Sequence, residues 1–378
     1  MRFGKGQQFP SEHRHLRDEK TGVVVHQLTT HCSINHHLYF LNRSFTPDGK
    51  VIIFTSYRDG QPNLYESNFP DGPIGQLTEG EGLHPFSACL SDSGTQIFFT
   101  RKGSVWSLDR GTLEEACLAS FSNAQLGECN LSHSGRWIVT AVRQDGQAGI
   151  ALIRTDGREH GILLHWPRTV IHPQFHPLDD NLIEFSSDPA PRMHLVRRDN
   201  GHTECLYEHG NNEFIVHETF LGPSGDLVFE VWPFALKRLD WQSREISTIA
   251  EINAWHIAPD SMGTTILYDT NHPDIGIQRI EVASGKCQTV CFPKSSNQGS
   301  QWKTSRYALA EDWARVAAQQ NLERQSSLSW MEMKTDTVYG PQWTHPHPSW
   351  HPDETQVVFT SDRSGFPQVY AARIPDNS

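Results

Sequence analysis

His345 and His347 flank a proline in the segment THPHPS (344–349), and their spacing is the first feature of this 378-residue chain that suggests chemistry. Neutral imidazole binds divalent transition metals and, with a pKa near neutrality, serves as a proton acceptor at a reacting carbon. On a β-strand, residues i and i+2 share a face, so this pair is expected to reach one ion together. Pro346 has no N–H and stiffens the link between them. With an amide oxygen and a third imidazole, the pair makes a borderline-hard site, suited to Mn²⁺, Zn²⁺ or Ni²⁺ more than to a thiolate metal. The chain holds 21 histidines, well above ordinary usage, so the elements that carry the others decide the reading.

Those elements form a repeat. An aromatic or apolar residue, a Pro/Ser-Asp/Ser-Gly turn, a β-branched or aromatic run, a second turn and another short strand recur, as in SFTPDGKVIIFTSYRDGQPNLYESN from Ser44 and WHPDETQVVFTSDRSGFPQVYAARI from Trp350. The turn positions are Asp48, Asp92, His133, Asp179, Ser224, Asp260, Asp312 and Asp353. Their mean spacing of about 44 residues is that of one four-stranded blade of a β-propeller. The expected fold is all-β, a single β-propeller domain over 1–378, with seven to eight four-stranded antiparallel blades from eight repeat phases. The strand VVVHQLTT (23–30) is expected to close the ring as the outer strand of the last blade. The Ser-Gly pairs read as turn chemistry, and no G-x-S-x-G precedes a helix, which argues against a serine peptidase.

The inner strand of each blade lines the channel, so a residue at a fixed offset from the turn repeats around the ring. Counting back from an anchor late in each second strand gives Asn42, Phe86, Glu128, His172, His217, His256, Arg306 and His347. Four of these eight positions are histidine. Such clustering points to metal or substrate binding at the channel, although each histidine alone is compatible with packing between blades. His84 and His345 sit two residues before ring positions, and His36 is a further channel candidate.

The net charge of −12 repels phosphate backbones, and no apolar run approaches the length that spans a bilayer, so neither nucleic acid nor membrane is an expected partner. The seven cysteines are scattered without a C-x-x-C pair and the N-terminus lacks a secretory core, which suggests reduced thiols in a cytoplasmic protein.

The segment QWTHPHPSWHP (342–352), followed by VVFTSDRSGFPQVY (357–370), closely resembles the C-terminal blade of oligogalacturonate lyases, the propeller enzymes of polysaccharide lyase family 22. FTPDG from Phe45, IHP from Ile171, Arg192-Met193, HETF from His217 and NAWH from Asn253 resemble earlier blades of that family. The resemblance implies pectin degradation: cleavage of short oligogalacturonides, such as saturated or unsaturated digalacturonate, by β-elimination. The released unsaturated uronate becomes 5-keto-4-deoxyuronate. It further implies an Mn²⁺ site made by His256, Gln342, His345 and His347, with His217 as general base and Arg192 as ligand of the substrate carboxylate. His172, His36 and Arg306 are candidate contacts to the sugar.

The family reads as seven-bladed, whereas the phase at Asp312 would set a blade between His256 and the His345/His347 pair and part them. Two further readings follow from the same residues: a lyase for another uronate oligosaccharide, and a non-catalytic TolB-like binding scaffold with structural histidines. Glu128 and Glu218 are possible acid/base partners, Glu218 more readily by orienting His217 or facing solvent. Trp255, Trp302 and Trp343 suit either sugar stacking or blade packing.

Overall fold

The turn residues do locally what their chemistry favours. At the first repeat, Asp48 Oδ1 accepts hydrogen bonds from the Thr46 hydroxyl (2.7 Å) and the Lys50 N–H (3.1 Å), while Gly49 takes the left-handed φ of 71° that completes the turn. The following strand, Val51–Ser56, is buried along nearly its whole length. This is why it reads VIIFTS rather than alternating apolar with polar: both of its faces are covered by neighbouring sheets.

The computed structural model describes residues 3–210, 212–270, 274–296 and 342–375, with Gln342 described by its backbone alone. These residues form seven antiparallel sheets arranged as a β-propeller. The inner strands include Asn35–His37, Ala124–Leu131, Ile171–His176, Ile215–Phe220, Ile257–Pro259 and Ser349–Trp350. Val24–Gln27 pairs with Gln368–Arg373 in the register Val25↔Ala372, His26↔Ala371, Gln27↔Tyr370. The expected closing strand thus supplies the fourth strand of the last blade, and Arg14–Arg17 adds a fifth outside it. Further upstream, Gln8–Phe9 extends the first blade by pairing with Ile74 and Gly75.

Among the described residues the blade number is seven. Seven of the eight turn phases each open one sheet, while the phase at Asp312, with Arg306 and Trp302, lies outside the described residues. The sheets carrying His256 and His347 pack directly on each other: Ala258, Leu267, Ile277 and Val290 share one apolar cluster with Val357, Phe359 and Tyr370. The Trp350 indole N–H donates to the Ala258 carbonyl at 2.7 Å across the same seam. Packed sheets lie about 10 Å apart, so an intervening blade would separate the seam by twice that distance. The separation feared for His256 therefore does not occur.

A second departure is in the first blade. After His37 the chain leaves the inner strand and returns only at Phe45, which bridges to Ile52. Tyr39 and Phe40 on this excursion are buried in the channel. The Phe40 ring lies 5.5 Å from His217, 5.3 Å from His256, 6.2 Å from His347 and 6.5 Å from His172. An aromatic plug therefore supports the imidazoles of four blades at once. Asn42, the ring position counted from Phe54, is carried away from them and donates to the Cys129 carbonyl at 3.2 Å. Phe40→Ala is expected to cost about 3–5 kcal/mol of stability, the usual range for emptying a buried phenylalanine site, read as a lowered denaturant midpoint. An unchanged midpoint would mean that the plug bears no packing load.

Candidate active site

Ordinary pleating does not aim these histidines. His172, His217 and His347 have φ of 50°, 55° and 47°, in the left-handed region that costs a non-glycine residue about 1–3 kcal/mol. His172 and His217 sit where the strand register slips, between Ile171 and Gln174 and between Val216 and Thr219. A bulge inserts an unpaired residue and redirects its side chain, here at the same ring position of successive blades. Glu128 occupies a third such slip, between Leu126 and Cys129.

His345 and His347 do converge, but not by the strand alternation expected of them. The strand of this segment is only Ser349–Trp350, and both histidines precede it, after the turn Gln342–Thr344. The left-handed φ at His347 brings the rings together instead. Their centroids are 5.8 Å apart, and those of His256 and His347 are 3.9 Å apart. One ring nitrogen from each of His256, His345 and His347 lies within 4.8 Å of the others, and all three residues are buried.

The surroundings set the tautomers. Asp269 accepts the His256 backbone N–H at 2.8 Å and its Nδ1–H at 2.9 Å, leaving Nε2 buried with no partner among the described residues. The same carboxylate accepts the His347 backbone N–H at 3.0 Å, so one acid aligns two blades. His347 Nδ1 faces the His345 carbonyl at 3.1 Å, which turns its own Nε2 toward the cluster. His37 bridges the His347 carbonyl (2.7 Å) and the Thr360 hydroxyl (2.8 Å). Burial first, and then the neighbouring imidazoles, holds His347 well below its usual pKa, so it presents a lone pair at neutral pH. A buried ring nitrogen without a hydrogen bond, beside two more imidazoles and a carboxylate behind them, fits a divalent cation.

Next to this cluster, the His217 centroid is 4.5 Å from that of His256 and 4.8 Å from that of Trp255. Burial, then His256, His172 and Arg192, pushes the His217 pKa well below the ordinary value. Its Nδ1 has no hydrogen-bond partner among the described residues, Glu230 lying 3.9 Å away. This is a neutral imidazole equipped to take a proton.

Arg192 is buried and bound twice: Nε donates to Glu218 at 2.6 Å, and Nη1 to both oxygens of Asp188 at 2.8 and 2.9 Å. Its Nη2 carries no hydrogen bond among the described residues. Glu218 therefore neither orients His217 nor faces solvent; it also accepts the Ser186 hydroxyl at 2.7 Å and fixes the guanidinium. His172 Nε2 meets the Tyr39 hydroxyl at 3.1 Å and lies 3.7 Å from Glu128, whose carboxyl burial pushes up to about 7. His36 stacks on Phe86 at 4.3 Å, and its Nδ1 faces the His37 carbonyl at 2.9 Å. Its described ring contacts are to Phe86 and Tyr57 rather than to the clustered histidines. Trp255 packs against Trp232 and His217, and Trp343 against Tyr39, Phe40 and Phe86. The Gln342 side chain and Arg306 lie outside the described residues.

Sequence reasoning missed Asp269, His37, Tyr39 and Phe40. Asp269 alone had a readable signal: it directly follows Tyr268, the anchor from which His256 was counted, and so falls opposite that histidine.

A family model described as oligogalacturonate lyase matches residues 3–141 and 313–378. The chain is 24% identical to an oligogalacturonide lyase of Pectobacterium atrosepticum and 23% identical to an oligogalacturonate lyase of Dickeya dadantii. Each alignment covers 99% of both proteins. Among solved structures, an oligogalacturonate lyase in complex with manganese superposes with a TM-score of 0.82 at 22% identity, covering 99% of each chain. One from Vibrio parahaemolyticus gives 0.79 at 21%, covering 98% of this chain and 99% of that one.

Proposed function

Since this chain belongs to the oligogalacturonate lyase family, we propose that it cleaves short oligogalacturonides by β-elimination, with His217 as the base and Arg192 as the clamp on the uronate carboxylate. One observation carries the reading: a neutral, buried imidazole stands directly beside three more that converge from two adjacent blades.

The C5 proton of a uronate is acidic because it lies α to the carboxylate. His217 takes that proton; the C5 electron pair forms the C4–C5 double bond, and the C4–O4 bond breaks, O4 leaving with that bond's electrons and taking up a proton from solvent water to release the shortened saccharide. The ring left behind is a 4,5-unsaturated uronate, which rearranges to 5-keto-4-deoxyuronate. His256, His345 and His347, with Gln342, would hold a divalent cation, Mn²⁺ as in the solved relative, whose charge lowers the cost of the negative charge that develops at the carboxylate. Arg192 works toward the same end from the fourth blade. Asp188 and Glu218 hold its Nε and Nη1 edge, so its remaining Nη2 is presented without freedom to swing. Asp269 and the His345 carbonyl keep the His256 and His347 imidazoles in their tautomers, and His37 holds the His347 backbone carbonyl. The overall charge of −12 repels an acidic sugar, so attraction has to come from these local cations. His172, with Tyr39, suits a hydrogen bond to a sugar hydroxyl, and Arg306 is kept as a second contact. The free state of all seven cysteines supports a cytoplasmic setting.

The test is absorbance growth in the ultraviolet band of the unsaturated uronate on digalacturonate, before and after chelation and again with Mn²⁺ restored. Turnover that vanishes with chelator and returns with metal is expected. No turnover by metal-loaded protein on digalacturonate or on other uronate disaccharides would refute the reading.

A further inference from the structure

The hairpin that closes the ring carries a second set of imidazoles, on the outer rim and away from the channel. Arg14–Arg17 and Val24–Gln27 are the two outermost strands of the last blade, and their register sets His15 directly opposite His26. Cross-strand partners in an antiparallel pair project to the same face, and His13, two residues before His15, falls on that face diagonally from His26. The rings cluster accordingly, with centroids 4.6 Å apart for His13 and His15, 5.2 Å for His13 and His26, and 5.0 Å for His15 and His26. One nitrogen of each ring lies within 4.8 Å of the others.

We propose that His13, His15 and His26 form a second divalent-metal site, of the Zn²⁺ type, that staples the closing hairpin. Three imidazoles without a thiolate suit Zn²⁺ or Cu²⁺. His15 is exposed and the other two are half-buried, so an ion arrives from solvent and the fourth ligand is water. His13 Nε2 and His26 Nδ1 stand 2.9 Å apart, sharing one proton that the ion displaces. All three ligands belong to the segment whose pairing with Gln368–Arg373 closes the ring. An ion that binds only the paired hairpin therefore raises the stability of the closed propeller by mass action. This site is independent of the lyase reaction, since none of its residues reaches the channel cluster.

The experiment is equilibrium dialysis of the full chain against micromolar Zn²⁺, with elemental analysis of bound metal and melting curves with and without the ion. The wild-type protein is expected to hold one equivalent more than His15→Ala and than His13→Ala. The Zn²⁺-dependent rise in Tm is expected to shrink by the same substitutions. A His345→Ala protein keeps the His15-dependent equivalent, which separates the two sites. Because His15 is exposed, its replacement leaves the fold intact, checked by unchanged circular dichroism. Equal stoichiometry in wild type and His15→Ala, or an equal rise in Tm, overturns the proposal.

Discussion

His217→Asn is expected to lower kcat on digalacturonate by about 10²–10⁴-fold, the usual worth of a positioned general base, with bound metal unchanged. Asparagine is chosen because it tolerates the left-handed φ of 55° at this position, so the loss reports the missing base rather than a strained backbone. The sign of the pH dependence follows from the environment. Burial and the surrounding imidazoles and Arg192 hold the His217 pKa well below 6.5, so the ring stays neutral as pH falls through the ordinary histidine range. The acid limb of kcat/KM is therefore expected below pH 6.5 in the wild type and absent in the variant. A His217→Asn enzyme with near wild-type kcat, or with the same acid limb, would remove His217 from the base role.

His347→Asn is expected to lose the stoichiometric metal and, with it, turnover. The same choice of asparagine respects the φ of 47°. His347 has the closest ring contact in the triad, 3.9 Å from His256, and its neutral form is enforced by burial and by its fellow imidazoles. Removing a direct donor should cost more than removing the group behind it. Asp269→Asn then provides the graded comparison: it leaves all three imidazoles but weakens the anchor of His256 Nδ1 and the His347 N–H, so metal affinity should fall by about 10–100-fold. Elemental analysis and a Mn²⁺ titration read both variants. Retention by His347→Asn of a Mn²⁺ equivalent that does not depend on His15, at wild-type affinity, would show that the cation is held elsewhere.

The amino-acid sequence by itself determined the propeller architecture and the ring positions of the four clustered histidines. Turn chemistry acts within five residues, as at Asp48, and strands of fixed length follow each turn, so counting from Phe185, Phe229, Tyr268 and Phe359 reached His172, His217, His256 and His347 without coordinates. The closing strand was legible for the same local reason, since VVVHQLTT is a β-branched run that reads as a strand, whereas Arg14–Arg17, which precedes it and pairs outside it, was not read. Tertiary structure decided what local rules leave open. Turn signals do not state whether they open a blade, so eight phases resolved to seven only through the seam between Ala258 and Val357. The side-chain directions of His217 and His347 depend on left-handed backbone that pleating does not encode. Tyr39 and Phe40 carry no local signal of their role, yet they plug a channel whose walls come from blades far along the chain. The bond from Glu218 to Arg192, and the single carboxylate of Asp269 serving two blades, exist because closure brings distant segments within 3 Å, and sequence spacing carries no record of that.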